Sequence, residues 1–208
     1  MLEFFLDPYS DASTLAIVLE ALAFVFGIAS VWYAKQENIL VYPTGLIATS
    51  ITVVLLYRAG YLGDMTMNVY YSVMSVYGWW NWTRRHGEQR QRLHITTTNS
   101  KDKAVAALLF VLTLIVTWLV YQLFGRTLAW SNWIDVFTSG LFFTAMWLMA
   151  NKKLENWTLW IIADVITVPL YAYRGLGMLS LQFLIFTVLA VMGYRHWRQL
   201  MRAGKAGA

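Results

Sequence analysis

Charge is the scarcest thing in this chain. Of its 208 residues 13% are Asp, Glu, Lys or Arg, against 59% hydrophobic, and the mean hydropathy is +0.51. A soluble domain carries about 25% charged residues to keep its surface wet, so this composition excludes one. Cysteine is absent, which excludes disulfides and thiol chemistry and leaves the compartment open. His86, His94 and His196 are too scattered to form a metal cluster. No phosphate-binding Gly-rich loop and no Ser-His-Asp or Cys-His set occurs, so no enzyme activity, cofactor or metal is expected. Residues 1–11 hold Glu3, Asp7 and Asp11 and no Lys or Arg, unlike a cleavable signal sequence.

What is present in quantity is apolar chain in long runs. A helix crosses a bilayer core in about 20 residues, and its backbone groups must pair internally. The spacing predicts seven such helices, over 14–34, 39–57, 65–82, 104–124, 133–150, 157–173 and 179–197. The second and third are separated only by the short turn expected at Gly60, Tyr61, Gly63 and Asp64. Seven spans put Arg58, Arg126 and Arg174 on one side. The other side receives Lys35, Arg84, Arg85, Arg90, Arg92, Lys101, Lys103, Lys152, Lys153, Arg195, Arg198, Arg202 and Lys205. The basic side is the cytoplasmic one, so the N-terminus is expected outside and the C-terminus inside a bacterial inner membrane. The net charge of +5 then reports topology and contact with lipid headgroups, not a nucleic-acid partner.

The chain also repeats itself. Glu37-Asn38 matches Glu155-Asn156, Tyr57-Arg58 matches Tyr173-Arg174, and Gly78-Trp79-Trp80-Asn81-Trp82 matches Gly193-Tyr194-Arg195-His196-Trp197. Two odd triplets joined by one extra helix share an orientation. The expected architecture is therefore an all-α membrane domain of 3+1+3 parallel repeats, SWEET-like, with 14–82 and 133–197 as triplets and 104–124 as the linking helix.

Asn156, Trp160 and Asp164 are spaced i, i+4, i+8 and share one stripe of the sixth span. A carboxylate at mid-membrane costs about 2.5–3.5 kcal/mol on insertion scales, so Asp164 is expected to face a cavity or a partner. Glu20 lies inside the first span and Asp135 near the outer end of the fifth, and no Lys or Arg lies deep in any span. An acidic interior lined by rings suits a flat organic cation. Trp157, nearer the interface, is a further ring candidate. Asn38 and Tyr42 at the start of the second span, Asn68, Ser72 and Ser75 on one face of the third, and Gln182 in the seventh are cavity or interhelical polar groups. Pro43 and Pro169 are expected to kink the second helix of each triplet, as hinges or as static bends.

The string Lys153-Leu154-Glu155-Asn156-Trp157-Thr158-Leu159-Trp160 and the motif Tyr77-Gly78-Trp79-Trp80-Asn81-Trp82 resemble the PnuC-type vitamin transporters. The likeness is strongest over 152–197. It implies a SWEET-like fold assembled as a homotrimer. It also implies uptake of nicotinamide riboside by facilitated diffusion, with a cytoplasmic kinase trapping the vitamin. The sequence departs from the riboside pattern at three positions. Asp164 and Asn68 stand where that pattern has Asn and Gln, and Ala48 stands where it has Asn. Thiamine, also a flat cation and carried within the same family, is the alternative. A retinal-binding seven-helix protein is excluded because the seventh span has no Lys.

Overall fold

The structure, a computed structural model, describes residues 13–59, 62–86, 91–123 and 130–206. Residues 1–12, Gly60 and Tyr61 of the expected turn, Arg90, Phe124 and Arg126 lie outside the described residues, while Gly63 and Asp64 of that turn fall within the third long helix. Among the described residues there are seven long helices: α1 (Thr14–Lys35), α2 (Val41–Ala59), α3 (Leu62–Thr83), α4 (Ser100–Leu123), α5 (Trp130–Ala150), α6 (Asn156–Tyr173) and α7 (Gly177–Ala206). A two-stranded antiparallel ladder, β1 (Arg85–His86) with β2 (Gln91–Arg92), decorates the connection to α4. Five helices, α1, α2, α4, α5 and α7, are long and apolar enough to cross a membrane by length and composition. The other two, α3 and α6, carry Asn68, Ser72, Ser75 and Asn81, and Asn156 and Asp164. Those polar groups lower their hydropathy.

Six helices close a ring by packing in the order α1, α2, α3, α5, α6, α7 and back to α1; α4 packs outside it on α5. Fixed contacts define the two ends. At one, Trp82 Nε1 of α3 donates to the Met149 carbonyl at the end of α5 (3.2 Å), and Trp197 Nε1 of α7 donates to the Ala34 carbonyl at the end of α1 (2.9 Å). The beginnings of α4 and α6 meet there too, because both Glu155 carboxylate oxygens accept from Thr98 N (3.1 and 3.0 Å) and Lys153 pairs with Asp102 (2.8 Å). Asn99 and Asp102 start α4 with a reciprocal cap, each side chain accepting from the other's backbone N–H (2.8 and 2.9 Å). At the opposite end Arg174 grips Asp135 through two hydrogen bonds (3.0 and 2.7 Å), and Tyr121 Oη donates to the same carboxylate (3.1 Å). Burial works against the Arg174 charge, but the Asp135 carboxylate holds its pKa above the ordinary value. Asp135 is thus a clamp between α4, α5 and α6 and leaves the set of acids available to a ligand. Asp135→Asn is expected to cost about 1–2 kcal/mol, read as a lowered melting midpoint in detergent.

The local structure recurs 115 residues apart, the separation of Glu37 and Lys152. Both α1 and α5 end in a Schellman turn. Glu37 N and Asn38 N donate to Ala34 O and Tyr33 O; Lys152 N and Lys153 N donate to Met149 O and Leu148 O. Glu37 (φ 56°) and Lys152 (φ 50°) are the non-glycine residues with positive φ among the described residues. Such residues cost energy in the left-handed region, and these two are joined to each other by an ion pair. The Trp82–Met149 and Trp197–Ala34 bonds exchange under the same spacing. At these turns Glu37 and Asn38 therefore correspond to Lys152 and Lys153, not to Glu155 and Asn156, whose identical dipeptide misleads by three positions.

Pro43 does not kink α2. It is the third residue of that helix, in the first turn, where its missing N–H would have had no intrahelical partner. Pro169 lies inside α6 and removes a ladder bond there.

Candidate substrate site

Asp164 lies midway along α6, eight residues from its start, or about 12 Å at 1.5 Å per residue. It is 1% exposed, and its Oδ1 is buried without a hydrogen-bond partner among the described residues. Rings gather at this level. Trp160 of α6 meets Phe142 of α5 (centroids 5.5 Å), Phe142 meets Phe183 of α7 (5.7 Å), and Phe183 meets Tyr171 of α6 (5.3 Å). Tyr71 of α3 lies within electrostatic range of Asp164 and Tyr171. The adjoining Tyr70 stacks on Phe143 (3.9 Å, 7°) and donates to its carbonyl (3.0 Å), locking α3 to α5. Four helices of the ring thus bring a buried carboxylate and aromatic rings into one packed region. That arrangement can neutralise a cation through charge and quadrupole together.

The other candidates divide between this level and the basic end. Trp157 is 1% exposed and sits edge-on to Trp197 (5.5 Å, 90°), its Nε1 without a hydrogen-bond partner among the described residues. Tyr42, also 1% exposed, sits edge-on to Trp82 (5.1 Å, 86°), its Oη likewise without a partner among the described residues. Each ring covers a glycine. A Cβ on Gly78 would lie 2.5 Å from the Tyr42 hydroxyl, and one on Gly193 2.7 Å from the Trp157 ring. Trp82 and Trp197 join the two pairs (6.0 Å), so four aromatics plug the basic end of the ring. Gly78→Ala is expected to cost about 1–3 kcal/mol by overpacking, read as a lower melting midpoint. Asn156 is fully buried; its Nδ2 donates to Lys153 O (2.6 Å) and its Oδ1 is unpartnered.

Asn38 caps its own turn, accepting from Leu40 N (3.0 Å). Ser72 bonds Thr49 of α2 (2.8 Å) and the Asn68 carbonyl (3.0 Å), so it fastens α2 to α3. Ser75 is buried on the same helix, and Asn68 is half-buried one turn before Ser72. Gln182 packs on α1, its Nε2 3.2 Å from where a Gly27 Cβ would stand. Glu20 is half-buried in α1. Tyr71, Tyr171, Phe142 and Phe183 were not singled out from the sequence. Phe183 directly follows Gln182, and nothing in the sequence marks these four rings among 34 aromatics.

A ring of membrane helices enclosing a carboxylate among aromatic side chains is the architecture of a transporter. The family model described as nicotinamide mononucleotide transporter matches residues 17–199. The chain belongs to that family, whose members are transporters and not enzymes. It is 26% identical to the nicotinamide riboside transporter PnuC of Escherichia coli K12 (86% of this chain, 84% of that one). It is 28% identical to the nicotinamide riboside transporter PnuC of Neisseria mucosa (88% and 73%). It is 23% identical to the riboflavin/roseoflavin transporter RibM of Streptomyces davaonensis (60% and 58%). The crystal structure of the vitamin B3 transporter PnuC shares the fold, with TM-score 0.71 over 95% of this chain and 86% of that one at 22% identity.

Proposed function

We propose that this protein takes up nicotinamide riboside across a bacterial inner membrane by facilitated diffusion. The observation that carries the reading is Asp164: a buried carboxylate with an unpartnered oxygen, at mid-membrane depth, among Trp160, Tyr71, Phe142 and Phe183. A lone carboxylate in such a place is costly unless a charged ligand uses it, and the pyridinium of the riboside is a flat cation. The two riboside-transporting relatives favour the same vitamin. Thiamine is the second reading, because Asp164 replaces the Asn of the riboside pattern and thiamine is also a cation, with an aminopyrimidine to which a carboxylate can hydrogen-bond. With no ATP site in the sequence, net inward flow then depends on phosphorylation of the vitamin by a cytoplasmic kinase.

We also read the ring as two like-oriented triplets, 14–82 and 133–197, joined by 104–124, with the protein acting as a homotrimer. The paired turns, ion pair and tryptophan bonds 115 residues apart support the triplets. In this arrangement the aromatic plug and the Glu37–Lys152 pair close the cytoplasmic end, and α7 ends in the cytoplasm. The test is titration of purified protein with nicotinamide riboside and thiamine, followed by calorimetry. Saturable binding of either supports the assignment, and silence toward both removes it. In proteoliposomes, uptake is expected to run downhill only, without ATP or an ion gradient.

A further inference from the structure

A depression of about 390 Å³ opens at the basic end between α1 and α7, lined by Lys35, Gln36, Met192, Arg195, His196 and Gln199. The corresponding junction, between α3 and α5, is bridged by side-chain hydrogen bonds. There Tyr77 Oη donates to Asn151 Oδ1 (3.4 Å), and Asn81 Nδ2 donates to Asn151 Oδ1 (3.3 Å) and the Ala150 carbonyl (3.0 Å). At the α1–α7 junction Met192, Gln36 and His196 take the places of Tyr77, Asn151 and Asn81, and among the described residues no such bonds join them. Lys35 and Arg195 take the places of Ala150 and Trp80. The fold has therefore opened one of two matching junctions and put two cations into it.

Lys35 Nζ lies 3.5 Å from the Trp32 ring centroid, which holds the ammonium in place. The neighbouring acid Glu37 is already paired with Lys152. The lining offers an ammonium, a guanidinium, an imidazole and two amides, and no carboxylate. That donor-rich set matches the oxygens of a phosphate. The site also lies where the apolar part of α7 gives way to Arg195, Arg198 and Arg202, the depth of lipid headgroups.

We propose that this depression binds a phosphate group, supplied by the headgroup of an anionic phospholipid. A free phosphate monoester has the same chemistry, and the experiment separates the two sources. Full-length protein in nanodiscs of phosphatidylcholine, with or without phosphatidylglycerol, is melted at one ionic strength, and bound phosphatidylglycerol is measured by native mass spectrometry. Phosphatidylglycerol is expected to raise the wild-type midpoint, and K35Q/R195Q to bind it about tenfold less tightly. K35R/R195K keeps the charges and is expected to retain the binding, which guards against a folding defect in the first variant. R198Q/R202Q, with the same charge loss outside the depression, is expected to lose clearly less than K35Q/R195Q, because it removes only general surface attraction. If R198Q/R202Q loses as much as K35Q/R195Q, or K35Q/R195Q loses nothing, the proposal is overturned. Inorganic phosphate and nicotinamide mononucleotide in neutral nanodiscs form the second arm. A midpoint rise there that K35Q/R195Q abolishes keeps the phosphate site and assigns it to a soluble ester instead.

Discussion

Asp164→Asn is expected to weaken binding of the cationic vitamin about 30-fold or more while leaving the empty protein as stable as wild type, or more so. The two effects have opposite signs for one reason. The carboxylate is buried, and its Oδ1 has no hydrogen-bond partner among the described residues. A buried carboxyl without a partner is a burden on folding whether it is held charged or must take up a proton, and an amide of the same shape lifts that burden. In the complex the same charge faces the ligand cation. Removing one partner of a desolvated charge pair costs about 2–5 kcal/mol, the source of the expected loss. If Asp164 instead fastened two helices, the variant would melt earlier and bind normally. Melting curves and calorimetry on one preparation separate the two cases. Trp160→Ala, by contrast, is expected to lower binding and stability together, because Trp160 also packs on Phe142.

Trp197→Ala is expected to be the most damaging single change to the fold, on the order of 3–5 kcal/mol from the cavity alone. Trp197 is fully buried, meets the rings of Trp82 and Trp157, and satisfies the Ala34 carbonyl at the end of α1. Its loss uncouples α7 from α1, one of the contacts that closes the ring. Trp197→Phe keeps a ring but removes this hydrogen bond, leaving the Ala34 carbonyl to the Glu37 N–H, and about 0.5–1.5 kcal/mol of loss is expected. Trp82→Phe removes the matching bond to Met149, so the two Phe variants should lower the melting midpoint by similar amounts.

Helix number and approximate limits were legible because lipid demands long apolar runs, and those survive in a single sequence. Polar residues depressed the signal in α3 and α6, and several of them, Ser75, Asn81, Asn156 and Asp164, are buried. The specific string 153–160 proved to be two things. Lys153, Leu154 and Glu155 tie the α5–α6 turn to residues 96–102, and Asn156 Nδ2 donates back to Lys153 O within the turn. Trp157 and Trp160 point the other way, into aromatic clusters. A motif gives no sign of where its structural half ends. The left-handed turns at Glu37 and Lys152 were illegible for a physical reason: that conformation normally advertises itself with Gly or Asn, and here an ion pair across the ring accompanies it instead. Pro43 misled because its effect depends on its position within the helix, which a boundary uncertain by two residues does not fix.

The central claim is that charge on the ligand is read by Asp164. It is tested most directly by changing the ligand and leaving the protein alone. Nicotinamide riboside and its reduced dihydro form have nearly the same shape, but only the first carries a positive ring. Calorimetric titration of the wild-type protein is expected to give saturable binding of the cation and about 30-fold weaker binding of the neutral form. Equal affinity for the two would contradict the account.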